Sequence, residues 1–462
     1  MSIIPGISLY RLFENDLKQW AVSDLKNGSG GGARRIEKRL PFFVKVSDAV
    51  VSAGGMDQFY FKDRRNRYEA GAIGCARVYA SIGDSGPDPA DEIGRLWEAD
   101  PRFSLFGGMS FFDDAMPPEW RSFGRVRFVL PLVALKSDEN GCTVVLNCIP
   151  PENKSLGNAA NDIVRQLKRL DAMVPGIVAS GVPPYTETLI PGYESWHAFV
   201  DEVLSRLNRN GVRKVVLARK KILKSALAWD PVFLFRCIEA IEEDSFLFFC
   251  RPKNGEAFMG RSPERLFNLT KGSLASDAIA GTRRRCDQPF RDDTLASELM
   301  SSIKDAEEHR IVVDYIRAHM ARLCDDVCVA ASPRPLKLKH LQHIITRVRG
   351  RVKNGRNPVE IMRMLHPTPA VGGVPRESSL EMISRLEPFG RGWYGAPIGW
   401  MARDAAEFAV GIRSALVREN ELHLFGGAGI VAQSEAKPEW EETGHKMENF
   451  TRILESMNNG FT

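Results

Sequence analysis

Short segments of β-type composition recur along this chain, separated by stretches rich in glycine, proline and aspartate. In the first half, RFVLPLVAL and CTVVLNCI alternate with turn-rich stretches such as IGDSGPDPADE, a pattern that predicts mostly sheet. Beyond residue 190, the strand-like segments VRKVVLAR, FLFFCRP and EAFMGRSPERLFNL are interleaved with helical spacing over residues 195–208 and 231–243. This mixture favours an α/β or α+β enzyme.

The best candidate for a boundary within the chain is the loop-rich zone over residues 175–191, which follows a helix predicted over residues 159–171. It separates a β-rich N-terminal half, residues 1–185, from a mixed half, residues 190–460. The glycine-rich segment NGSGGGAR, residues 27–34, is predicted to be a flexible turn or connector.

Composition excludes several classes of protein. The formal charge of +5, from 63 basic and 58 acidic side chains, argues against a nucleic-acid-binding arm or an acidic tail. The eight cysteines have neither zinc spacing nor the pattern of a disulfide framework. No apolar run approaches the roughly 20 residues of a membrane span, and the N-terminus does not read as a signal peptide. We expect a cytoplasmic protein with reduced thiols that binds neither membrane nor nucleic acid.

Lys214 lies in a predicted strand, where alternation places it on the same face as Val216 and Ala218. A lysine among apolar neighbours can be partly desolvated, which lowers its pKa and makes it a general base. The plainer alternative is an edge-strand lysine that discourages aggregation.

Glu264 follows Ser262 and Pro263, which interrupt the strand-like run FMGRSPERLFNL. Proline cannot donate to a β ladder, so the chain should bulge or turn there and display Glu264. A carboxyl group at such a break can act as a general acid if its surroundings raise its pKa. The alternative is a solvated glutamate paired with Arg265.

A long helix is predicted over residues 294–323, with one apolar stripe at helical spacing. Lys304 and Glu308 lie four residues apart on this helix, and a surface ion pair between them is the simplest interpretation.

Near the C-terminus, PEWEETGHKMENF begins with Pro438, a residue suited to a first helical turn. Glu439, Glu442 and Lys446 then share one helix face. Two carboxylates one turn apart, with no nearby thiol, could help to bind a hard divalent cation such as Mg²⁺. A solvated acidic face is the alternative.

An arginine, a glycine cluster and a histidine complete the candidates. In AEFAVGIRSALV, alternation places Arg413 among small side chains, as in a receptor for a carboxylate. The glycines of residues 426–430 could bring backbone N–H groups to an anion, or could simply form a turn. His366, in the rigid segment LHPTPAVGGVPRE, could orient a hydroxyl group or could have a purely structural role. Together the candidates suggest Mg²⁺-assisted chemistry on a small carboxylated substrate.

Ten segments carry a resemblance to the chorismate-utilising enzymes. They are KVVLAR, GRSPERLF, AIAGTRRR, SSIKDAEEHRIVVDYI, LQHIITRVRGRV, HPTPAVGG, RGWYGAPIGW, FAVGIRSALV, FGGAGIV and EWEETGHK, and they are spread over residues 214–446, roughly half the chain. The family includes isochorismate synthases, salicylate synthases and the aminating anthranilate and aminodeoxychorismate synthases. HPTPAVGG and Lys214 resemble the isochorismate synthase branch, because anthranilate synthases typically have glutamine at the position of this lysine.

The resemblance implies a role for each candidate. Lys214 would be the base that deprotonates a water attacking C2 of chorismate, and Glu264 the acid that protonates the departing C4 hydroxyl, giving isochorismate. The implied Mg²⁺ site consists of Glu308 and Glu442, with Glu439 close by. The implied substrate-binding residues are Thr282 and His366 at the ring, and Tyr394, Arg413, Gly427, Gly429 and Lys446 at the carboxylates.

The same resemblance implies an α+β fold of the aminodeoxychorismate synthase type, with two large mixed or antiparallel sheets packed together and helices outside. Residues 1–462 would form one integrated catalytic domain, with chorismate binding in the second half. No glutaminase partner is expected because the nucleophile is water, and a monomer or weak dimer is expected. Two departures from the family pattern affect loops: Ser-Glu-Ala at 434–436 replaces Ser-Asp-Pro, and Gly-Thr-Arg-Arg at 281–284 replaces Gly-Thr-Arg-Pro.

Three other interpretations compete with this one. A salicylate synthase would form isochorismate and then eliminate pyruvate, but HPTPAVGG argues against it. A nucleic-acid-binding protein is suggested by the basic clusters at 219–221 and 283–285, which lack interleaved aromatics. An inactive chorismate-binding protein would have lost Lys214, Glu264 or a metal-binding glutamate, and all are present. The sequence leaves open whether the product serves menaquinone, siderophore or salicylate synthesis.

Overall fold

The structure is a computed structural model. It describes residues 3–27, 33–81, 89–113, 116–150, 155–173, 181–207, 211–241, 243–253 and 255–459. Most of the glycine-rich segment at 27–34 and the first part of the 175–191 zone lie outside the described residues. Among the described residues, no helix is long and apolar enough to cross a membrane.

The helices are distributed along the whole chain. They are α1 (Leu9–Asn27), α2 (Val46–Ser52), α3 (Ala90–Ala99), α4 (Leu156–Ala172), α5 (Tyr193–Arg206), α6 (Pro231–Glu239), α7 (Pro289–Ser301), α8 (Ile303–Leu323), α9 (Pro358–Leu365), α10 (Arg376–Leu386) and α11 (Ala436–Asn459).

The strands are mostly short. They are β1 (Arg34–Leu40), β2 (Gln58–Lys62), β3 (Tyr68–Ile73), β4 (Arg77–Ser81), β5 (Leu105–Met109), β6 (Val126–Leu130), β7 (Val133–Asp138), β8 (Gly141–Cys148), β9 (Tyr185–Ile190), β10 (Lys214–Ser225), β11 (Phe246–Arg251), β12 (Ala257–Ser262), β13 (Arg265–Thr270), β14 (Ser273–Arg284), β15 (Cys324–Val329), β16 (Arg334–Lys337), β17 (Leu341–Val352), β18 (Gly373–Val374), β19 (Pro397–Met401), β20 (Ala405–Val410), β21 (Ser414–Arg418) and β22 (Glu421–Ile430).

These strands form two antiparallel sheets. The larger sheet has the order β1-β8-β7-β3-β2-β11-β12-β21-β22-β10-β18, with β9 also paired to β10. The smaller sheet has the order β15-β17-β14-β13-β20-β19-β5-β6-β4, with β16 paired to β17. Each sheet joins strands from both halves of the chain, through the β2–β11 pair and the β19–β5 pair. Strands of the N-terminal half therefore complete both of the sheets to which the second half contributes.

Aromatic side chains fill the space between the two sheets. Phe59 of the larger sheet meets Phe106 of the smaller sheet with ring centroids 5.7 Å apart, and Phe248, Phe258 and Trp393 belong to the same buried cluster. Two further apolar clusters join the outer faces of the sheets to the helices, among them α4 on the larger sheet and α8 on the smaller one. The predicted α+β class, with packed sheets inside and helices outside, is confirmed.

Two of the points at which the polypeptide passes from one sheet to the other lie next to each other, and we call them the first and second crossings. The chain leaves the larger sheet between β12 and β13, at the Pro263 break predicted from the sequence, and returns between β20 and β21. The prediction of one continuous strand through AEFAVGIRSALV is wrong, because residues 411–413 form the second crossing and Arg413 has a positive φ of 51°. The Val410 N–H donates to the Glu264 carbonyl at 3.0 Å, which joins the two crossings.

The single helix predicted over residues 294–323 is also wrong, since α7 ends at Ser301 and α8 begins at Ile303. Ser302 lies between them in an extended conformation, and its hydroxyl accepts the backbone N–H of Asp305. A serine that caps a new helix gives the chain a stable alternative to one long helix. Neither loop departure disturbs its element, because Arg284 pairs with Leu341 in the β14–β17 ladder and α11 begins at Ala436.

Candidate active site

A cavity lies beside the first and second crossings. Ten of the twelve residues predicted for the site line it: Lys214, Glu264, Thr282, Glu308, Tyr394, Arg413, Gly427, Gly429, Glu442 and Lys446. His366 and Glu439 are not among the lining residues. The two sheets, α8 and α11 all contribute to the wall.

Lys214 begins β10, and its side chain is 1% exposed. Strand β10 pairs with β18 on one side and with β22 on the other, so the interpretation of Lys214 as an edge-strand lysine is wrong. The ammonium group lies 2.9 Å from Oε1 of Glu308 on α8. A Cβ added to Gly429 would come within 2.5 Å of that oxygen and 2.7 Å of Cε of Lys214. Glycine at 429 therefore leaves room for this ion pair.

Glu264 is held within the first crossing and is 3% exposed. Its N–H donates to Oγ of Ser262 at 3.2 Å, and Oγ1 of Thr368 donates to its carboxylate at 3.3 Å. Burial raises the pKa of Glu264 to about 8, against the opposing effect of the Lys214 charge. The carboxyl group is thus protonated near neutral pH and can donate a proton. The alternative of a solvated partner of Arg265 is wrong, because that arginine pairs with Glu407 at 2.6 Å.

Three glutamates near the cavity each pair with one lysine. The pairs are Lys214–Glu308 at 2.9 Å, Lys304–Glu439 at 2.6 Å and Lys446–Glu442 at 2.6 Å. The predicted Lys304–Glu308 surface pair is therefore wrong, since Lys304 reaches across to α11. The solvated acidic face is also wrong for Glu439, which is 2% exposed. Burial, reinforced by the charge of Glu442, raises the pKa of Glu439.

Arg413 is a buried cation, 4% exposed, that lines the cavity. Within the part of the chain that the structure describes, it has no carboxylate at ion-pair distance. Its Nη2 lies 3.1 Å from Nε2 of His343, whose Nδ1 lies 3.0 Å from the carbonyl oxygen of Gly281. Burial and the Arg413 charge lower the pKa of His343 to about 3. The neutral histidine therefore donates from Nδ1 and accepts from Arg413, which fixes the guanidinium at the cavity wall.

The glycine cluster at 426–430 forms neither a turn nor a separate loop. It is the end of β22, where Gly427 pairs with Ala218 and Gly429 pairs with Val216 of β10. Strand β22 extends past its partner β21, whose pairing ends at Leu424. The described residues place no strand against the other edge of this segment, which faces the cavity. Lys446 donates to the Gly427 carbonyl at 3.0 Å and so lies over the same edge.

His366 lies behind the cavity wall. Its Nε2 is 3.3 Å from the carbonyl oxygen of Phe111, and burial lowers its pKa to about 3.

Two residues after His366, Thr368 makes the contact with Glu264 that the sequence had not suggested. His343 and Arg391 were likewise missed, although each lies in a recognised motif. Arg391 lines the cavity and donates to the carbonyl oxygens of Val216 and Val371 at 2.8 and 2.7 Å.

Comparisons with known proteins agree on one family. A family described as chorismate binding enzyme matches residues 48–455. Isochorismate synthase 2, chloroplastic, from Arabidopsis thaliana is 30% identical over 401 residues, covering 84% of this chain and 71% of that protein. Isochorismate synthase MenF from Bacillus subtilis (strain 168) is 32% identical over 356 residues, covering 76% and 74%.

Among solved structures, MenF, the menaquinone-specific isochorismate synthase from Escherichia coli, is similar with a TM-score of 0.84 and 24% identity. The similarity covers 97% of this chain and 100% of that chain. The fold is therefore shared over almost the whole length.

Proposed function

The chain belongs to the chorismate binding enzyme family, and from this premise we propose that it is an isochorismate synthase, an isomerase that converts chorismate to isochorismate. The relatives with 30% and 32% identity both carry that name. The motif HPTPAVGG and Lys214 support the same branch of the family.

One observation carries the proposal: a single cavity contains a buried lysine, a buried protonated glutamic acid and a buried arginine without a carboxylate partner among the described residues. Lys214 and Glu264 supply a proton acceptor and a proton donor. Arg413 supplies a charge that an anionic substrate can neutralise, which is favourable because an unpaired buried cation is costly. Chorismate, with two carboxylates, offers the negative charge that this lining can bind.

In the proposed reaction, neutral Lys214 removes a proton from water as the water oxygen bonds to C2. The two ring double bonds each move one position, and the C4–oxygen bond breaks. Glu264 donates its proton to the departing oxygen, which leaves as water, so water is consumed and regenerated in equal amounts. After each turnover Lys214 carries the proton taken from water and Glu264 lacks its own, so one proton must be released by Lys214 and one taken up by Glu264 before the next attack. In the structure Lys214 is held in the ion pair with Glu308.

Substrate binding would fall to the polar residues that surround this pair. Arg413 and Lys446 would bind carboxylates with the free edge of β22 at Gly427 and Gly429, and Tyr394 lies beside that edge. Thr282 lines the cavity next to His343 and would contact the ring. His366 would act from behind the wall by holding the segment that carries Thr368.

The acidic residues suit a hard divalent cation. Glu308 and Glu442 line the cavity and offer carboxylate oxygens, the ligands that Mg²⁺ prefers, and Glu439 lies beside Glu442. Mg²⁺ retains several non-protein ligands, so two or three carboxylates are enough. When bound, the ion would share these carboxylates with the lysines that pair with them in the structure, and it would add positive charge that attracts a substrate carboxylate.

The proposal is tested by incubating the purified protein with chorismate, with and without Mg²⁺, and separating the products by liquid chromatography with mass detection. We expect isochorismate that depends on Mg²⁺. Salicylate with pyruvate would instead assign the protein to the salicylate synthase branch. Unchanged chorismate under both conditions would overturn the proposed function.

A further inference from the structure

Arg64 is a buried arginine that the N-terminal half contributes to the neighbourhood of Glu264. It lies in the turn between β2 and β3, and it is 3% exposed. Its Nη1 donates to the carbonyl oxygen of Pro263 at 2.9 Å, across 199 positions of sequence. Its Nη2 donates to a carboxylate oxygen of Asp277 on β14 at 2.8 Å. One guanidinium group thus joins the first crossing to the smaller sheet.

The groups bound by Arg64 are themselves fixed. Asp277 is fully buried at its carboxylate and also accepts from Nε of Arg347 at 2.8 Å. The Pro263 carbonyl belongs to the peptide that joins Pro263 to Glu264. Any movement of this peptide therefore breaks a charge-assisted hydrogen bond to a guanidinium that has no freedom to follow.

Two other hydrogen bonds reach this part of the first crossing, but neither of them involves the Pro263 carbonyl. The Ser262 hydroxyl accepts the Glu264 N–H within the same short segment, and the Val410 N–H donates to the carbonyl of Glu264. Among the described residues, Arg64 is the side chain that donates to the Pro263 carbonyl, whereas Thr368 contacts the Glu264 carboxyl group itself. Arg64 does not line the cavity. Its effect on the reaction must therefore pass through Glu264.

We propose that Arg64 is a positioning residue that sets the direction of the Glu264 carboxyl group by holding the Pro263 peptide. The inference rests on the proposed function, in which Glu264 donates a proton to the substrate. It also gives the N-terminal half, which carries none of the recognised motifs, a direct part in building the site.

The test compares Arg64→Met and Arg64→Lys with Arg65→Met, a matched control because Arg65 is the exposed neighbour of Arg64. A shift of about 1 Å in a reacting group costs on the order of 100-fold in rate, so we expect kcat of Arg64→Met to fall by about that factor. The KM for chorismate should stay within about threefold, because Arg413 and Lys446 are untouched. Arg65→Met should match the wild type.

A second readout separates positioning from a general loss of structure. Loss of the Arg64 charge leaves Asp277 less balanced, and because the Asp277 charge raises the pKa of Glu264, this effect alone would move the alkaline limb of the kcat–pH profile to higher pH. If the Glu264 carboxyl instead turns towards solvent in Arg64→Met, its desolvation decreases and the limb moves to lower pH. A partly unfolded enzyme would lose amplitude without moving that limb. Arg64→Lys keeps a charge beside Asp277 but its ammonium cannot span both acceptors, so we expect a kcat between that of the wild type and that of Arg64→Met.

The outcomes are distinguishable. Wild-type kcat and pH profile in Arg64→Met, or a loss of kcat with a limb that is unmoved or moved to higher pH, would overturn the role of Arg64 while the proposed function stands. If Arg64→Met does not fold, Arg64→Lys decides, and wild-type kinetics in that variant would also overturn the role. A wild-type enzyme that leaves chorismate unchanged would overturn the proposed function and, with it, the role of Arg64 in the reaction.

Discussion

Replacing Thr368 should change the pKa of Glu264 without changing Glu264 itself. The Thr368 hydroxyl group donates to the Glu264 carboxylate at 3.3 Å, and this bond lowers a pKa that burial raises to about 8. Thr368→Val keeps the shape of the side chain and removes the donor. Because the bond favours the ionised form, its loss should raise the pKa further and keep the acid protonated to higher pH.

The size of the effect follows from the length of the contact. A hydrogen bond to a charged group contributes about 1.5–3 kcal/mol, and a 3.3 Å contact belongs at or below the lower end. About 1.4 kcal/mol corresponds to one pH unit, so the alkaline limb should move upward by about one unit. Near pH 9 the variant should then retain about half of its own maximal rate, where the wild type retains about a tenth.

The assay is kcat measured from isochorismate formation between about pH 6 and 10 in roughly half-unit steps, a range that brackets the pKa of about 8 for Glu264 and the value about one unit higher expected for the variant. Thr368→Ser is the matched control, because it keeps a hydroxyl and should keep the wild-type limb. A limb that stays in place or moves down in Thr368→Val would refute the assignment of that limb to Glu264.

Three further predictions concern the other groups of the cavity. Lys214→Ala and Glu264→Gln should each abolish turnover while chorismate still binds in a calorimeter, and near-normal turnover in either would remove that residue from the mechanism. Glu442→Gln should weaken the dependence of activity on Mg²⁺, and it should lower Mn²⁺ binding measured by electron paramagnetic resonance; unchanged titrations would exclude it as a ligand. Gly429→Ala should lower kcat by at least about tenfold, because its Cβ would lie 2.5 Å from the Glu308 carboxylate, and wild-type kinetics would contradict the tight packing there.

Acid–base linkage adds a stability effect with a definite sign. The folded-state pKa of Glu264, about 8, lies above the ordinary value of 4.5, so the folded chain binds more protons than the unfolded chain between those values. Its contribution to stability is full below pH 4.5 and decreases as the pH rises towards 8.

Sequence patterns predicted which residues form the site better than the contacts that these residues make. Proline cannot continue a ladder, so the break before Glu264 was visible, whereas the second crossing was not, because alternation runs unbroken through residues 411–413. Lys304 was assigned to Glu308 by helical spacing, but its partner Glu439 lies 135 positions away. Contacts such as this one depend on how helices pack and leave no local signal.

The same limit explains the residues that were missed. His343 and Thr368 lie in recognised motifs, yet their hydrogen bonds to Arg413 and Glu264 arise only when β17 and the segment after α9 meet the crossings. The Ser302 cap was readable, since a serine three residues before Asp305 is a helix-start signal that breaks the predicted 294–323 helix. The single-domain organisation, the oligomeric state and the cellular location stay predictions.

The central claim is that water attacks C2 while the C4 hydroxyl leaves. Lys214 takes a proton from the attacking water, and Glu264 gives a proton to the departing oxygen. Turnover of chorismate in ¹⁸O-labelled water, followed by mass detection of the isochorismate, tests it most directly. The account predicts one labelled oxygen in each product molecule and none in unreacted chorismate at the earliest times. Isochorismate that retains the original C4 oxygen would contradict it, because the hydroxyl would then have moved within the molecule without water.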